Sequence, residues 1–231
     1  MSRVKVGEIA HASLARGDEL GWFERVYEDA SGDASAVPWA DLEPNPMLVD
    51  WLAKHPWNGE KKRVLVVGAG LGDDAELFAA NGAQVTAFDL SPKAIAWAKE
   101  RWPRSSVTYA VNDLLALPAA WMGAFDFVFE AYTLQCFPPG SDLRARSLGT
   151  LAPLLAPGGI LLVVARGRDA LPKITEGPPW ALVRDELDHV GTTLAPLSFD
   201  DVDDGGTRRF VAAYSKMVLA HIPSTSGRPV T

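Results

Sequence analysis

The 231-residue chain holds a single cysteine, Cys136, so no disulfide can form within it, and this fits a reducing compartment. Basic residues are in deficit: 22 Lys and Arg face 29 Asp and Glu, for a formal charge of −7. A chain of that sign repels polyanions, and binding DNA or RNA would require a local basic patch. The densest basic cluster, Lys61-Lys62-Arg63, directly precedes an apolar run and reads as the solvated start of a strand. Histidine is scarce, and His11, His55, His189 and His221 show no metal-ligand spacing. The acidic runs at 73–74 and 200–204 read as a helix start and a solvated loop, so no metal is expected. No apolar run approaches the roughly 20 residues of a membrane span. The charged N-terminus lacks the apolar stretch of a signal peptide. The expectation is a cytoplasmic protein without nucleic-acid or membrane partners.

What the chain does have is a hydrophobic fraction of 48%, enough for a sizeable core, and a repeating alternation of strand and helix patterns. Strand patterns fall at 64–67, 84–89, 107–111, 125–130, 160–165, 194–199 and 208–216. Helical patterns fall at 73–80, from Ser91-Pro92 to about 101, at 143–155 and at 184–190. Ser91 followed by Pro92 is a helix cap with proline at the first helical position. The alternation predicts an α/β fold: a Rossmann-like, mostly parallel seven-stranded sheet with helices on both faces and an antiparallel C-terminal strand. Residues 1–60 lack strand character. Helical spacing at 18–27 and 46–55 flanks a loop rich in Ser, Gly, Asp and Pro, and together they predict a helical cap or lid. The main domain is expected over 61–220, with a polar tail at 221–231.

The segment 64–89, VLVVGAGLGDDAELFAANGAQVTAFD, carries the chemistry. Gly68, Gly70 and Gly72 allow a tight turn and a close backbone approach to a ligand. The following helix aims its first N–H groups at that turn. Asp89, at the end of the second strand, can accept two hydrogen bonds from a ribose diol. Asp73 stands where a dinucleotide fingerprint carries its last glycine. An acid there opposes a pyrophosphate by roughly 4 kcal/mol at 4 Å and an effective dielectric of 20. A nucleoside without phosphates, or with positive charge, fits better. S-adenosylmethionine (SAM), a sulfonium, meets both conditions. In such sheets the ligand lies beyond the carboxyl ends of the strands, which also brings Asn112-Asp113 and residues 130–135 to the crevice.

VVGAGLGDDAELFA resembles motif I of the class I SAM-dependent methyltransferases. Phe88-Asp89-Leu90-Ser91-Pro92 resembles their ribose-binding motif, and Asn112-Asp113-Leu114-Leu115 their adenine-binding one. Residues 125–130 and 154–162 resemble strands four and five of that family. The resemblance implies cofactor contacts from Trp39, Gly68, Ala69, Gly70, Asp89, Leu90, Asp113, Leu114 and Glu130, with S-adenosylhomocysteine (SAH) as product. A narrower resemblance to the thiopurine, thiol and halide methyltransferases rests on GWFERVYEDA and VPWADLEPNPMLVDWL upstream of motif I, and on EGPPWAL at 176–182. In that group a tryptophan closes over the cofactor, here Trp39. Many members carry Asp-Arg after strand four, where this chain has Glu130-Ala131.

The implied activity is methyl transfer to a small molecule, with a thiol, thiopurine or halide as one acceptor class and an oxygen or nitrogen acceptor as the other. Glu130 and Tyr132 are the candidate catalytic residues for an acceptor that needs a base. Gln135 is a candidate pocket residue, and Cys136 reads as a small buried hydrophobe. Trp22 and Trp51 read as core. Two rival readings are a nicotinamide-dependent oxidoreductase and a SAM-binding protein without catalysis. Asp73 and the lack of a Tyr-x-x-x-Lys pair oppose the first.

Overall fold

A computed structural model describes residues 3–218; the tail at 221–231, with His221, lies outside the described residues. The N-terminal segment supplies three helices, α1 (Arg3–Ala15), α2 (Trp22–Ala30) and α3 (Pro46–Lys54). The alternating part follows with β1 (Arg63–Val67), α4 (Asp73–Ala80), β2 (Gln84–Asp89), α5 (Pro92–Arg101), β3 (Thr108–Val111) and β4 (Phe125–Ala131). Then come α6 (Asp142–Leu148), β5 (Leu155–Arg168), β6 (Leu182–Val183), α7 (Arg184–Val190), β7 (Ala195–Asp204) and β8 (Thr207–Ser215).

The strands lie in the order β3-β2-β1-β4-β5-β8-β7. β8 is antiparallel to both its neighbours, β5 and β7, while the other pairs are parallel. An eighth strand, β6, is only two residues long and pairs with Gly167 and Arg168 of β5. So short a run leaves no periodic signal, which is why the sequence shows seven. Strands covered on both faces lose alternation and become continuously apolar. β1 shows this, with every residue after Arg63 buried. Leu65, Val67, Phe88 and Val128 pack on one side with Leu148, Leu151 and Leu187. Val64, Val66, Phe127 and Phe129 pack on the other with Leu48, Trp51 and Phe78.

Residues 200–204 are not a loop but the second half of β7, paired with β8, and three further local expectations change. The N-terminal helix α1 is absent from the sequence reading because its buried positions are Val6, Ala10 and Ser13, a helical stripe too small-sided to register as apolar. Helix α2 starts at Trp22, not at 18, because the Asp18 carboxylate accepts from the Gly21 N–H (2.8 Å) and forms a turn first. The helix expected at 143–155 stops at Leu148. Leu155 already pairs with Phe125 of β4, and Ile160 with Phe127, so residues 156–159 bulge out of the ladder. Gly158 takes a φ of +77° in that bulge and donates to the Lys216 carbonyl (2.8 Å).

One buried ion pair locks α6 to the segment after β5. Arg144 is 1% exposed. Its guanidinium forks onto Glu186 of α7 at 2.6 and 2.7 Å and donates to the carbonyls of Phe137, Trp180 and Ala181. All of the fork's directions are therefore used. Removing it strands a carboxylate and three carbonyls. Arg144→Leu is expected to lower the unfolding free energy in urea by about 3–5 kcal/mol, the cost of breaking a buried pair one-sidedly. A loss below about 1 kcal/mol would contradict this role.

Candidate functional site

The order β2-β1-β4 makes β1 the strand from which the chain departs in both directions, and the loops after these strands open a crevice. There lies a cavity of about 310 Å³, near the lower end of the roughly 300–1,000 Å³ usual for small-ligand pockets. Gly68, Ala69, Gly70, Asp89, Leu90, Asp113, Leu114, Trp39 and Tyr132 all line it. Among the residues named from sequence as site residues, only Glu130 does not.

Asp89 sits where two loops cross. One carboxylate oxygen accepts from the Gly70 N–H (2.9 Å) and the other from the Ser91 N–H (2.9 Å). Burial raises its pKa, while the Ser91 and Gly70 N–H groups pull it back toward the charged form. Each oxygen keeps a lone pair, enough for a vicinal diol. Gly70 has a φ of +52°, and a Cβ there would meet only the Tyr27 hydroxyl at 3.5 Å, so backbone and open space adjoin. Gly68 is different: a Cβ would strike the Thr133 hydroxyl at 2.1 Å, so its absence lets the turn after β1 pack on the turn after β4. Asp113 accepts from the Leu115 N–H (2.8 Å) through one oxygen, which leaves the other for a ligand donor.

The N-terminal segment roofs the cavity. Trp39 donates its indole N–H to the Tyr27 hydroxyl (2.9 Å) and meets Tyr27 and Trp22 edge-on. Trp22 is buried against Val6, Ala10 and Val26, and Trp51 lies in the main core, as their spacing suggests. The roof is tied to the sheet by Glu24 of α2, whose carboxylate accepts from the Ser91 hydroxyl and from the Lys93 N–H. Tyr27 and Glu24 escaped the sequence reading. Tyr27 stands one turn after Phe23 on an amphipathic helix, and its hydroxyl on an otherwise apolar face was the available signal.

Asp73 needs correction. Its carboxylate takes a two-pronged grip from Arg101 (2.8 and 2.9 Å), so it does not confront a ligand as a bare anion. Asp74 is the more exceptional neighbour: it accepts from the Asn45 N–H (2.7 Å), and burial raises its pKa to about 6.

Glu130 also needs correction. Its side chain is fully buried, and one oxygen accepts from the Thr133 N–H (2.5 Å) and the Leu134 N–H (3.0 Å). It therefore caps the turn that carries Tyr132, Thr133 and Gln135, and its carboxyl does not reach the cavity. The other oxygen is buried with no partner, and burial pushes the pKa up to about 7. Tyr132 holds a φ of +66°, a conformation that costs a tyrosine on the order of 1 kcal/mol. Its hydroxyl is kept protonated by burial. Gln135 lines the cavity and accepts from the Arg166 N–H (2.8 Å). Burial likewise pushes the Cys136 thiol up, in keeping with a small hydrophobe.

Residues 65–163 match a family model described as "Methyltransferase domain". The match runs from β1 into β5 and takes in the glycine turn, so this segment is similar to a methyltransferase domain. Over 143 residues the chain is 29% identical to a malonyl-[acyl-carrier protein] O-methyltransferase of Enterobacter lignolyticus, covering 62% of this chain and 53% of that one. Over 135 residues it is 38% identical to a ubiquinone biosynthesis O-methyltransferase of Chromobacterium violaceum, covering 55% of this chain and 54% of that one. The chain thus spans about half the length of the curated relatives it matches. Among solved structures, a Burkholderia thailandensis 1,6-didemethyltoxoflavin-N1-methyltransferase with bound SAH superposes with a TM-score of 0.64 at 22% identity, covering 94% of this chain and 92% of that one. The [4+2]-cyclase SpnF superposes with a TM-score of 0.67 at 19% identity, covering 87% and 96%. At these identities the likeness concerns the fold, and the cyclase shows that the methyltransferase domain's fold alone does not dictate the reaction.

SAM, the donor expected from the sequence, fits the residues present: a diol acceptor at Asp89, an open backbone at Gly70 and acids rather than arginines lining the cavity beside the glycine turn. Among the described residues no group of three or more His, Cys, Asp or Glu could hold a metal ion, and no helix is long and apolar enough to cross a membrane. A larger groove of about 790 Å³ runs past α6, α7 and β8. Its charged walls are paired as Arg144–Glu186 and Arg208–Asp201, and neither the glycine turn nor Asp89 reaches it.

Two outcomes follow from these contacts. Asp89→Asn keeps a hydrogen-bonding oxygen but loses the charge, and calorimetric SAH affinity is expected to fall at least about tenfold; unchanged affinity would remove Asp89 from the ribose site. Glu130 is protonated in the folded state up to about pH 7, whereas a carboxyl of ordinary pKa 4.5 has ionised by then in the unfolded chain. Stability from this group is present at low pH and lost as pH rises through about 7, by about 3 kcal/mol in all. The difference in unfolding free energy between wild type and Glu130→Gln should shift by that amount from about pH 4 to about pH 8, to the disadvantage of wild type at high pH. A difference independent of pH would contradict the assignment.

Proposed function

We propose that the chain transfers the methyl group of SAM to a small-molecule acceptor. The observation that carries this reading is the Asp89 carboxylate shared between Gly70 and Ser91 inside a roofed cavity. SAM, when bound, supplies a methyl group activated by its sulfonium. The chain's residues bind, orient and exclude water. Asp89 holds the ribose diol. Asp113 and Leu114 meet the adenine, and the backbone of Gly68-Ala69-Gly70 meets the amino-acid tail. Trp39 and Tyr27 cover the donor from the N-terminal cap formed by residues 1–60. Tyr132, with its proton retained, donates a hydrogen bond to the acceptor. Glu130 becomes a positioning residue that holds Tyr132 through the turn at 131–134.

An oxygen or nitrogen acceptor is the first reading, in line with the O-methyltransferases that the chain resembles. A thiol, thiopurine or halide is the second. One observation favours it: the Glu130 carboxyl is turned into the core and the Tyr132 hydroxyl is held protonated, so an acceptor that arrives ionised needs no base from either.

Calorimetry with SAM and SAH, followed by isotope-labelled methyl transfer to phenols, carboxylic acids, amines, thiols and iodide, tests the proposal. Both nucleosides should bind at submillimolar concentration, and at least one acceptor should take up label. Failure of both to bind would overturn the reading, and any turnover excludes a binding protein without catalysis.

A further inference from the structure

Two arginines, Arg166 and Arg209, line the cavity where acids otherwise prevail, with Asp204 beside Arg209. Arg166 of β5 and Arg209 of β8 are direct partners in the antiparallel ladder. They continue a column of apolar pairs, Leu162 with Ala213 and Val164 with Val211. At the crevice that column ends in two guanidinium side chains, and both line the cavity. Like charges directly opposite each other in a sheet cost stability. The position is not solvated surface that tolerates any polar residue, because the Arg209 side chain is only 15% exposed. Its Nε lies 3.2 Å from Asp204, and its guanidinium carbon lies 5.2 Å from the centre of the Tyr132 ring. The Arg166 backbone is fixed by the 98%-buried Gln135, whose side-chain oxygen accepts its N–H. The acids of the cavity at the glycine turn, Asp73, Asp74 and Asp89, belong to the donor side.

We infer that the acceptor is a small carboxylate, with its carboxylate held against Arg166 and Arg209 and its apolar body against Tyr132. This deepens the proposed methyl transfer and rests on it. A planar carboxylate matches a guanidinium fork, and two adjacent forks reward an anion more than a neutral polar group. The acidic donor side repels the same anion, so the acceptor is oriented as well as bound.

The test uses the full chain saturated with SAH. Calorimetric binding of 4-hydroxybenzoate and 4-aminobenzoate is compared with that of 4-hydroxybenzamide and 4-aminobenzamide, which match them in shape without the charge. The carboxylates should bind at least about tenfold more tightly than the amides. Arg209→Gln and Arg166→Gln should each reduce that preference to under about threefold while SAH affinity stays within about twofold of wild type. Arg209→Lys, which keeps the charge, should retain most of the preference. Equal binding of acid and amide by wild type, absence of carboxylate binding at millimolar concentration, or a preference that survives both Gln variants overturns the inference. If SAH binds in these cases, the methyl-donor reading stands and only the carboxylate subsite falls; if SAH itself fails to bind, both fall.

Discussion

The carboxylate of Asp89 ties the turn after β1 to the turn after β2, beyond the Ala69 N–H bond to the Phe88 carbonyl. One oxygen fixes the turn after β1 through Gly70, and the other fixes the turn after β2 through Ser91. Ser91 then passes the constraint outward. Its hydroxyl donates to Glu24 of α2, and α2 presents Tyr27 to the Trp39 indole. A chain of polar contacts thus runs from the sheet to the roof. A buried carboxylate pays a desolvation penalty, and here backbone N–H groups offset it without a cationic partner. That arrangement leaves the charge available for a diol.

Glycine and aspartate alone would build a nucleoside site on many folds. The cavity becomes more particular because two arginines, one of them bridged to Asp204, stand in an otherwise acidic lining. Acids gather at the glycine turn, and the Arg166–Arg209 pair closes the far side. Asp73 is tempered by Arg101, so the acidic side is less repulsive than its formal charge suggests. Between the two sides stands Tyr132, held in a left-handed conformation by the turn that Glu130 caps. The proposed chemistry asks little of the protein beyond this ordering, because in-line transfer needs alignment and dryness more than acid–base work.

Much of the framework was legible in the sequence because it depends on local chemistry. Apolar runs, the glycine turn and the Ser91 cap sit within a few residues of the partners that define them, and Asp89 follows its partner Gly70 by only 19 positions. What was hidden depends on residues far apart in the chain. Glu24 meets Ser91 across 67 positions. Arg166 and Arg209 become neighbours only through the register of β5 and β8. Glu130 was misread for a simpler reason: successive side chains on a strand point to opposite faces, and an acid at a strand end can turn inward to cap the next turn. Helix α1 was missed because alanine and serine make a buried stripe without looking apolar.

The central claim is that this cavity holds the nucleoside of the methyl donor with its ribose on Asp89. A crystal structure of the full chain grown with SAH tests it most directly. The account predicts both ribose hydroxyls within hydrogen-bonding distance of the Asp89 carboxylate, and the homocysteine tail against Gly68–Gly70 beneath Trp39. A nucleoside bound elsewhere, or bound here with its ribose away from Asp89, would contradict it.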